Sequence, residues 1–213
     1  MNIEEYNVVK NYTYLEYCDY LQKKYGIPSY DYMTKSFNKN PKITRTNDGL
    51  FAHHKFEDHA IMLGNKEYAK NNPYDWQKKE NMIYCDYLEH LFLHILICEY
   101  PHPERNIGEA VGIGGVQNFI VPELNDLYSG FHISQEYKQI CFNKVKDAID
   151  LYIILVNRFI KNSYNYPLYS NYQLRSSFNE RFGTWDREKN RELTNNFIIV
   201  DSSGKTVYSG KNV

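Results

Sequence analysis

His90 and His94 are the residues whose type and spacing most directly suggest chemistry. They lie four residues apart in the stretch 81–94, which contains neither proline nor glycine. Such a run favours a helix, and side chains at positions i and i+4 leave a helix on the same face, one turn apart. Two imidazoles in that arrangement can bind one divalent metal ion.

A second histidine pair, His53 and His54, follows the apolar residues 50–52 and the turn residues 47–49. This pattern predicts the second strand of a β-hairpin. Adjacent residues on a strand face opposite sides, so one histidine can face the helix while the other stays free of metal. A free neutral imidazole can accept a proton from water, and a metal held by three imidazoles keeps positions open for a phosphate oxygen. Together these properties suit phosphodiester hydrolysis.

The five residues His53, His54, Asn81, His90 and His94 resemble the signature of the HNH, or ββα-metal, endonucleases. In that family a His-His or Asp-His pair lies on a hairpin, followed by a central asparagine and by a helix with the pattern His-x3-His. The half Asn-x8-His-x3-His has the spacing of the colicin-type DNases. The resemblance covers residues 43–97 approximately.

The resemblance implies a role for each of these residues. His54 would be the general base that activates water, His53, His90 and His94 would bind the metal, and Asn81 would tie the hairpin loop to the helix and orient the base. The implied activity is metal-dependent cleavage of DNA, with the double-stranded form favoured as partner. Mg²⁺ or Mn²⁺ is expected as the working ion, and Zn²⁺ or Ni²⁺ as the ion that an imidazole-rich site binds tightly.

This sequence departs from the family pattern in two respects. The gap between His54 and Asn81 is longer than in compact members, which predicts an inserted loop over residues 57–80, with a short helix near 66–69. The net charge is −1, so DNA binding would need a local basic patch. Four basic residues precede the histidine pair and form a candidate patch, with a solvated loop as the alternative: Lys35, Lys39, Lys42 and Arg45.

The elements that must position these residues are mainly helical. Apolar residues at helical spacing predict helices over about 4–25, ended by Gly26, over 82–99, and over 134–161, where a long helix should pack on the first one. The apolar run 197–200, the turn residues 201–204 and the segment 205–208 predict a terminal β-hairpin. The expected fold class is α+β, a mainly helical domain with an embedded ββα-metal motif and a C-terminal β-hairpin.

These predicted elements divide the chain into three parts that are expected to pack as one unit. Residues 1–42 are the N-terminal helix and basic loop, 43–100 the nuclease core, and 101–213 a helical region with the terminal hairpin. The glycines of 112–115 lack the register of a phosphate-binding loop and are interpreted as a tight turn.

Several other residues are interpreted without a catalytic role. Glu57 and Asp58 could assist a metal, but an exposed loop is favoured for both. His59 is a weak second candidate beside the metal, while His102 and His132 are assigned to surface loops.

Composition places the chain among globular proteins. It has 213 residues, of which 42% are hydrophobic and 24% charged. Its four cysteines form no Cys-x-x-Cys pair, which predicts reduced, buried thiols in a cytoplasmic protein. We expect no membrane association, because no signal-like leader or apolar segment of spanning length is apparent.

Two main functional hypotheses follow. The first is an active HNH endonuclease of phage, mobile-element or defence origin. The alternative is a binding protein built on an HNH scaffold, an inhibitor or anti-defence module, which contacts a protein partner through residues 101–213 and does not cut DNA. A metal-stabilised structural protein is a third class.

Overall fold

The computed structural model describes residues 1–128 and 133–162, together with the backbone of two short strands near the C-terminus. The helices and strands of this part are α1 Ile3–Val9, α2 Tyr14–Tyr25, β1 Phe51–His54, α3 Lys66–Ala69, β2 Met82–Cys85, α4 Tyr87–Glu99, a π-helical segment Gly115–Ile120, α5 Val121–Tyr128, α6 Glu136–Asn143, α7 Ile149–Asn162, β3 Ile198–Val200 and β4 Thr206–Ser209. The α+β class is confirmed for this part of the chain.

The two strands β1 and β2 pair antiparallel, with His53 opposite Ile83 and His54 opposite Met82. The sequence predicted that β1 pairs with the residues before the turn 47–49, and this prediction is wrong. That turn, closed by Gly49 at a φ of 72°, is flanked by an isolated bridge from Arg45 to Leu50, and β1 pairs with β2 instead. The segment 55–81 between the two strands contains α3, as predicted.

The predicted helix over 82–99 is correct only from residue 87. Asp86 accepts a hydrogen bond from the Glu89 amide at 2.8 Å, and the Glu89 carboxylate accepts one from the Asp86 amide at 2.7 Å. This capping box starts α4 and leaves the four preceding residues to form β2. The strand and the helix are both largely buried and rich in apolar residues, so periodicity alone could not separate them.

The predicted helix over 134–161 is two helices, α6 and α7, separated at residues 144–148. Within the break, the carbonyl of the buried Val145 accepts hydrogen bonds from the Tyr128 hydroxyl at 2.8 Å and from the Ala148 amide, three residues on, at 2.9 Å. Helix α7 packs mainly on α4, and not on the first helix as expected. Arg158 on α7 forms two 2.7 Å hydrogen bonds with the Glu99 carboxylate at the end of α4.

Two hydrophobic clusters lie on opposite faces of β2. Ile83 and Cys85 belong to the main core around α4, which also contains residues of α2, α7 and the π-helical segment. Met82 and Tyr84 belong to a smaller core under residues 32–50. Because opposed residues of an antiparallel pair share a face, His53 must face the main core with Ile83, and His54 the smaller core with Met82.

Strands β3 and β4 pair antiparallel, but the turn between them lies outside the described residues, so the terminal hairpin stays a prediction. His132 lies outside them as well. All four cysteines are buried, as predicted. Among the described residues, no helix combines the length and apolar character needed to cross a bilayer.

Candidate metal centre

Three imidazoles converge where β1 meets α4. The ring centroid of His53 lies 5.2 Å from that of His90 and 5.2 Å from that of His94, and the two helix rings are 5.0 Å apart. Strand register turns His53 toward the main core, and helical spacing places His90 and His94 on the facing side of α4. The structure therefore brings together the three residues that the sequence predicts as metal ligands.

Glu57 joins these imidazoles from the 3-10 turn Lys55–Asp58, which follows β1 directly. Its Oε2 lies 3.3 Å from Nδ1 of His53 and 3.3 Å from Nε2 of His94. Candidate ligand atoms of the four residues all lie within 4.8 Å of one another. The sequence favoured an exposed loop for Glu57. Its position four residues after His53, across a turn, could have indicated that the two side chains lie close together.

The Tyr14 hydroxyl on α2 contacts His53 on the side away from Glu57. It lies 3.2 and 3.0 Å from the backbone carbonyls of His54 and Lys55, and 2.9 Å from Nε2 of His53. Burial raises the pKa of Tyr14, so the hydroxyl stays protonated. Metal binding through Nδ1 of His53 requires the ring proton on Nε2, and the Tyr14 hydroxyl oxygen is placed to accept a hydrogen bond from it.

The donor set fits a divalent metal ion. Nδ1 of His53 and Nδ1 of His94 are buried without a hydrogen-bond partner among the described residues. Such orphaned atoms are rare in protein interiors, and a metal ion bound at His53 Nδ1 would satisfy one of them. The two 3.3 Å separations also match the edge of a ligand tetrahedron around an ion held at about 2.0–2.1 Å.

Burial also sets the charge states that metal binding needs. It lowers the pKa of His53 to about 3 and that of His90 well below its usual value, and the neighbouring imidazoles act in the same direction. Burial alone would raise the pKa of Glu57, but His53, His54 and His94 together hold it well below its usual range. At neutral pH, His53 and His90 are thus neutral and Glu57 is ionised, which are the ligating forms of these groups.

His54 does not lie where the predicted general base would act. Its side chain faces the smaller core, is 1% exposed, and packs on the Tyr32 ring at 4.4 Å between centroids. Nδ1 lies 3.3 Å from Oε1 of Glu57, and Nε2 lies 3.1 Å from Oε1 of Gln77. A base needs an accessible lone pair, and both ring nitrogens of His54 are occupied. The structure instead places His54 behind Glu57, where it holds the carboxylate in position.

Asn81 likewise differs from its predicted role. It lies at the end of a 3-10 turn just before β2, and its side-chain amide donates to the backbone carbonyl of Asp75 at 2.8 Å. It therefore ties β2 to the inserted segment 55–81, and does not orient His54. Gln77, from the same segment, makes the contact with His54 and also donates to the Leu63 carbonyl at 3.1 Å.

A pocket of about 700 Å³ lies beside the four-residue cluster. Glu57, His90 and His94 line one side of it, so three of the four candidate ligands border the pocket. The other walls come from the inserted segment and from residues 110–120, and they are largely apolar: Ala60, Ile61, Met62, Leu63, Tyr68, Phe119 and Ile120, with the amides Asn65 and Asn118.

The glycines of 112–115 allow the backbone to approach α4 closely. A Cβ atom on Gly115 would lie 2.4 Å from Nδ1 and Cε1 of His94, and one on Gly112 would lie 2.8 Å from Ile97. Gly112 has a φ of 78°, as the predicted tight turn requires. The sequence did not reveal that Gly115 begins a π-helical segment that lies against His94.

The four basic residues of the candidate patch divide into two groups. Lys35, Lys39 and Lys42 are exposed, whereas Arg45 is held by Asp48 at 2.8 Å and by the Tyr25 carbonyl at 3.0 Å.

The patch reaches the edge of the pocket through Tyr32. The Lys39 ammonium lies 5.2 Å from the Tyr32 ring centroid, and the same ring packs against Gly64, which lines the pocket.

Comparisons with known proteins add no family assignment. No protein-family model, no curated protein and no solved structure matches this chain.

Proposed function

We propose that this protein is a metal-dependent endonuclease of the HNH, ββα-metal type that hydrolyses phosphodiester bonds in DNA. The observation that carries the proposal is the convergence of His53 from β1 with His90 and His94 from α4 at the edge of a pocket. A strand pair followed directly by the helix that bears a His-x3-His pattern is the arrangement that the family resemblance predicts.

The four side chains of the cluster would hold the ion. A six-coordinate ion such as Mg²⁺ or Mn²⁺ on His53, Glu57, His90 and His94 would keep two positions free, supplying Lewis acidity to a phosphate oxygen and to the leaving oxyanion. A tetrahedral Zn²⁺ would be satisfied by the four protein donors alone. Zn²⁺ is therefore expected to bind tightly and to support little cleavage.

The residues around the ligands position them. His54 and its own amide N–H both contact Oε1 of Glu57 at 3.3 Å, which leaves Oε2 toward His53 and His94. Gln77 in turn contacts His54 at 3.1 Å. This chain of contacts fixes the carboxylate before any ion binds, which lowers the reorganisation that binding requires.

The exposed lysines of the candidate patch would contact the substrate backbone. Lys35, Lys39 and Lys42 are exposed, and Lys39 lies over the Tyr32 ring at the pocket edge. Phosphate contacts of this kind position a nucleic acid without reading its sequence. Arg45, held by Asp48, contributes less to this surface.

A second candidate function is favoured by the position of His54. Because this histidine is buried with both ring nitrogens occupied, the chain could keep an HNH scaffold with a structural ion and act by binding a protein partner. Four protein donors on Zn²⁺ are typical of structural sites. Such an inhibitor or anti-defence module would use surfaces within residues 101–213.

One experiment separates the two candidates. Metal-free protein is incubated with supercoiled plasmid in Mg²⁺, Mn²⁺, Ni²⁺, Zn²⁺ or EDTA, beside the His90→Ala variant purified in the same way as a contamination control. The endonuclease is expected to nick plasmid with Mg²⁺ or Mn²⁺ and not with EDTA, and His90→Ala should lose both cleavage and metal. Stoichiometric Zn²⁺ binding without cleavage under any condition would support the binding protein instead.

A further inference from the structure

A second group of metal-ligating side chains lies on the other side of the turn that carries Glu57. Asp58 and His59 follow Glu57 directly, and His102 reaches them from the loop after α4. Candidate ligand atoms of these three residues lie within 4.8 Å of one another, and none of the three belongs to the first cluster. From the sequence, His59 and His102 were predicted to lie in surface or loop positions. No sequence pattern links residues 43 positions apart.

Direct contacts hold the side chains of Asp58, His59 and His102 close together. The Asp58 side chain is 7% exposed, and its Oδ1 accepts a hydrogen bond from Nδ1 of His59 at 2.5 Å. The His59 ring stacks on the His102 ring, with centroids 3.8 Å apart and planes 30° apart. The stack therefore brings a ring nitrogen of each histidine within 4.8 Å of the other and of the buried carboxylate.

Backbone hydrogen bonds hold the loop of His102 against the turn of His59. The Asn106 amide donates to the His59 carbonyl at 2.7 Å, and the Ile61 amide donates to the Glu109 carboxylate at 2.8 Å. The same carboxylate accepts a bond from the Asn106 side chain at 3.0 Å. His102 therefore meets His59 through a preassembled loop, so a bound ion would not have to order that loop.

We propose that Asp58, His59 and His102 form a second divalent-metal site, which takes a borderline ion such as Zn²⁺. Two imidazoles and one carboxylate are a sufficient donor set for such an ion, with a remaining position for water. The ligand atoms must close from separations of up to 4.8 Å to about 3.3 Å, which small side-chain rotations can achieve. The proposal does not depend on the nuclease hypothesis.

One existing hydrogen bond changes when the site is loaded. The Glu104 amide donates to Nδ1 of His102 at 3.2 Å, so the ring proton lies on Nε2 in the metal-free form. Binding through Nε2 moves that proton to Nδ1 and exchanges this hydrogen bond for a metal bond. The ion would then join the loop 101–109 to the turn that carries Glu57, and so would connect the two sites mechanically.

Metal counting tests the proposal. Metal-free protein is dialysed against Zn²⁺, and bound zinc per chain is measured by mass spectrometry. Wild type is expected to bind two equivalents, His102→Ala one, His90→Ala one, and the double variant none. Glu104→Ala is the matched control in the same loop and should bind two, because its side chain is exposed and its amide is unchanged.

A folding control distinguishes the loss of a metal ligand from the loss of folded protein. The melting temperature of His102→Ala without metal should match that of wild type, because His102 lies in a surface loop, and only part of its zinc-induced rise in melting temperature should be lost. A zinc count in folded His102→Ala that equals the wild-type count, whether one or two equivalents, overturns the second site. Neither outcome affects the first cluster, which His90→Ala reports separately.

Discussion

Substitution of Gly115 by alanine tests whether the π-helical segment sets the position of His94. The added Cβ would lie 2.4 Å from Nδ1 and Cε1 of His94, where ordinary contacts are about 3.5–4.0 Å. The ring or the segment must therefore move by more than ~1 Å. Overpacking of this kind costs about 1–3 kcal/mol, which corresponds to a fall in melting temperature of roughly 2 to 12 °C for a chain of this size.

Gly114→Ala is the matched control. A Cβ at that position meets nothing closer than 3.9 Å, and Gly114 already has helical dihedral angles of −57° and −39°. This change should leave stability equal or raise it by ~0.5–1 kcal/mol, because alanine loses less backbone entropy than glycine on folding. The two substitutions add the same methyl group at adjacent positions, so their difference isolates the contact with His94.

The assay combines thermal unfolding of the metal-free proteins with competition titration of Zn²⁺. If His94 is a ligand, as we propose, Gly115→Ala is expected to bind Zn²⁺ about 10–100-fold more weakly at the first site than Gly114→Ala, because the imidazole is displaced. If Gly115→Ala melts and binds Zn²⁺ as Gly114→Ala does, the close approach to His94 is not what the glycine provides. A lower melting temperature with unchanged Zn²⁺ affinity would also refute the reasoning, because the segment would then move instead of the ligand.

Two further predictions concern the histidines. His54→Ala should weaken metal binding about 10–100-fold through the released Glu57, and less than His90→Ala does; full metal affinity with abolished cleavage would restore the base role. The lowered pKa values of His53, about 3, and of His90 mean that the unfolded chain binds more protons below pH 6.5. Metal-free protein should therefore lose up to ~1.4 kcal/mol per histidine for each pH unit below 6.5 in urea unfolding, and equal stability at pH 7 and pH 5 would contradict this.

Sequence patterns predicted the elements that carry His53, His90 and His94 because local periodicity encodes which face each residue takes. The short helix α3 and the end of α2 at Gly26 also followed from local signals. Metal binding by these residues stays a prediction. The division between β2 and α4 was missed, because both are buried on all sides and the capping box at Asp86 was not weighed.

Contacts between distant segments could not be predicted in the same way. The proximity of His102 to His59, and the approach of Gly115 to His94, depend on how the loop after α4 folds back. The closed surroundings of His54 were not predicted for a related reason. Alternation on β1 showed that it faces away from His53, but only the inserted residue Gln77 and the ring of Tyr32 show that this other side is closed.

Because the segment 55–81 between β1 and β2 is long, a bound ion would also stabilise the fold around the site. Strands of four residues joined through so long a connection gain little from their own pairing, because closing the intervening chain costs entropy. An ion shared by His53 and His90 would act as a reversible cross-link between the first strand and the helix. Chelation should then loosen this corner of the molecule first, and hydrogen exchange of the β1 amides would follow metal occupancy more closely than that of α7.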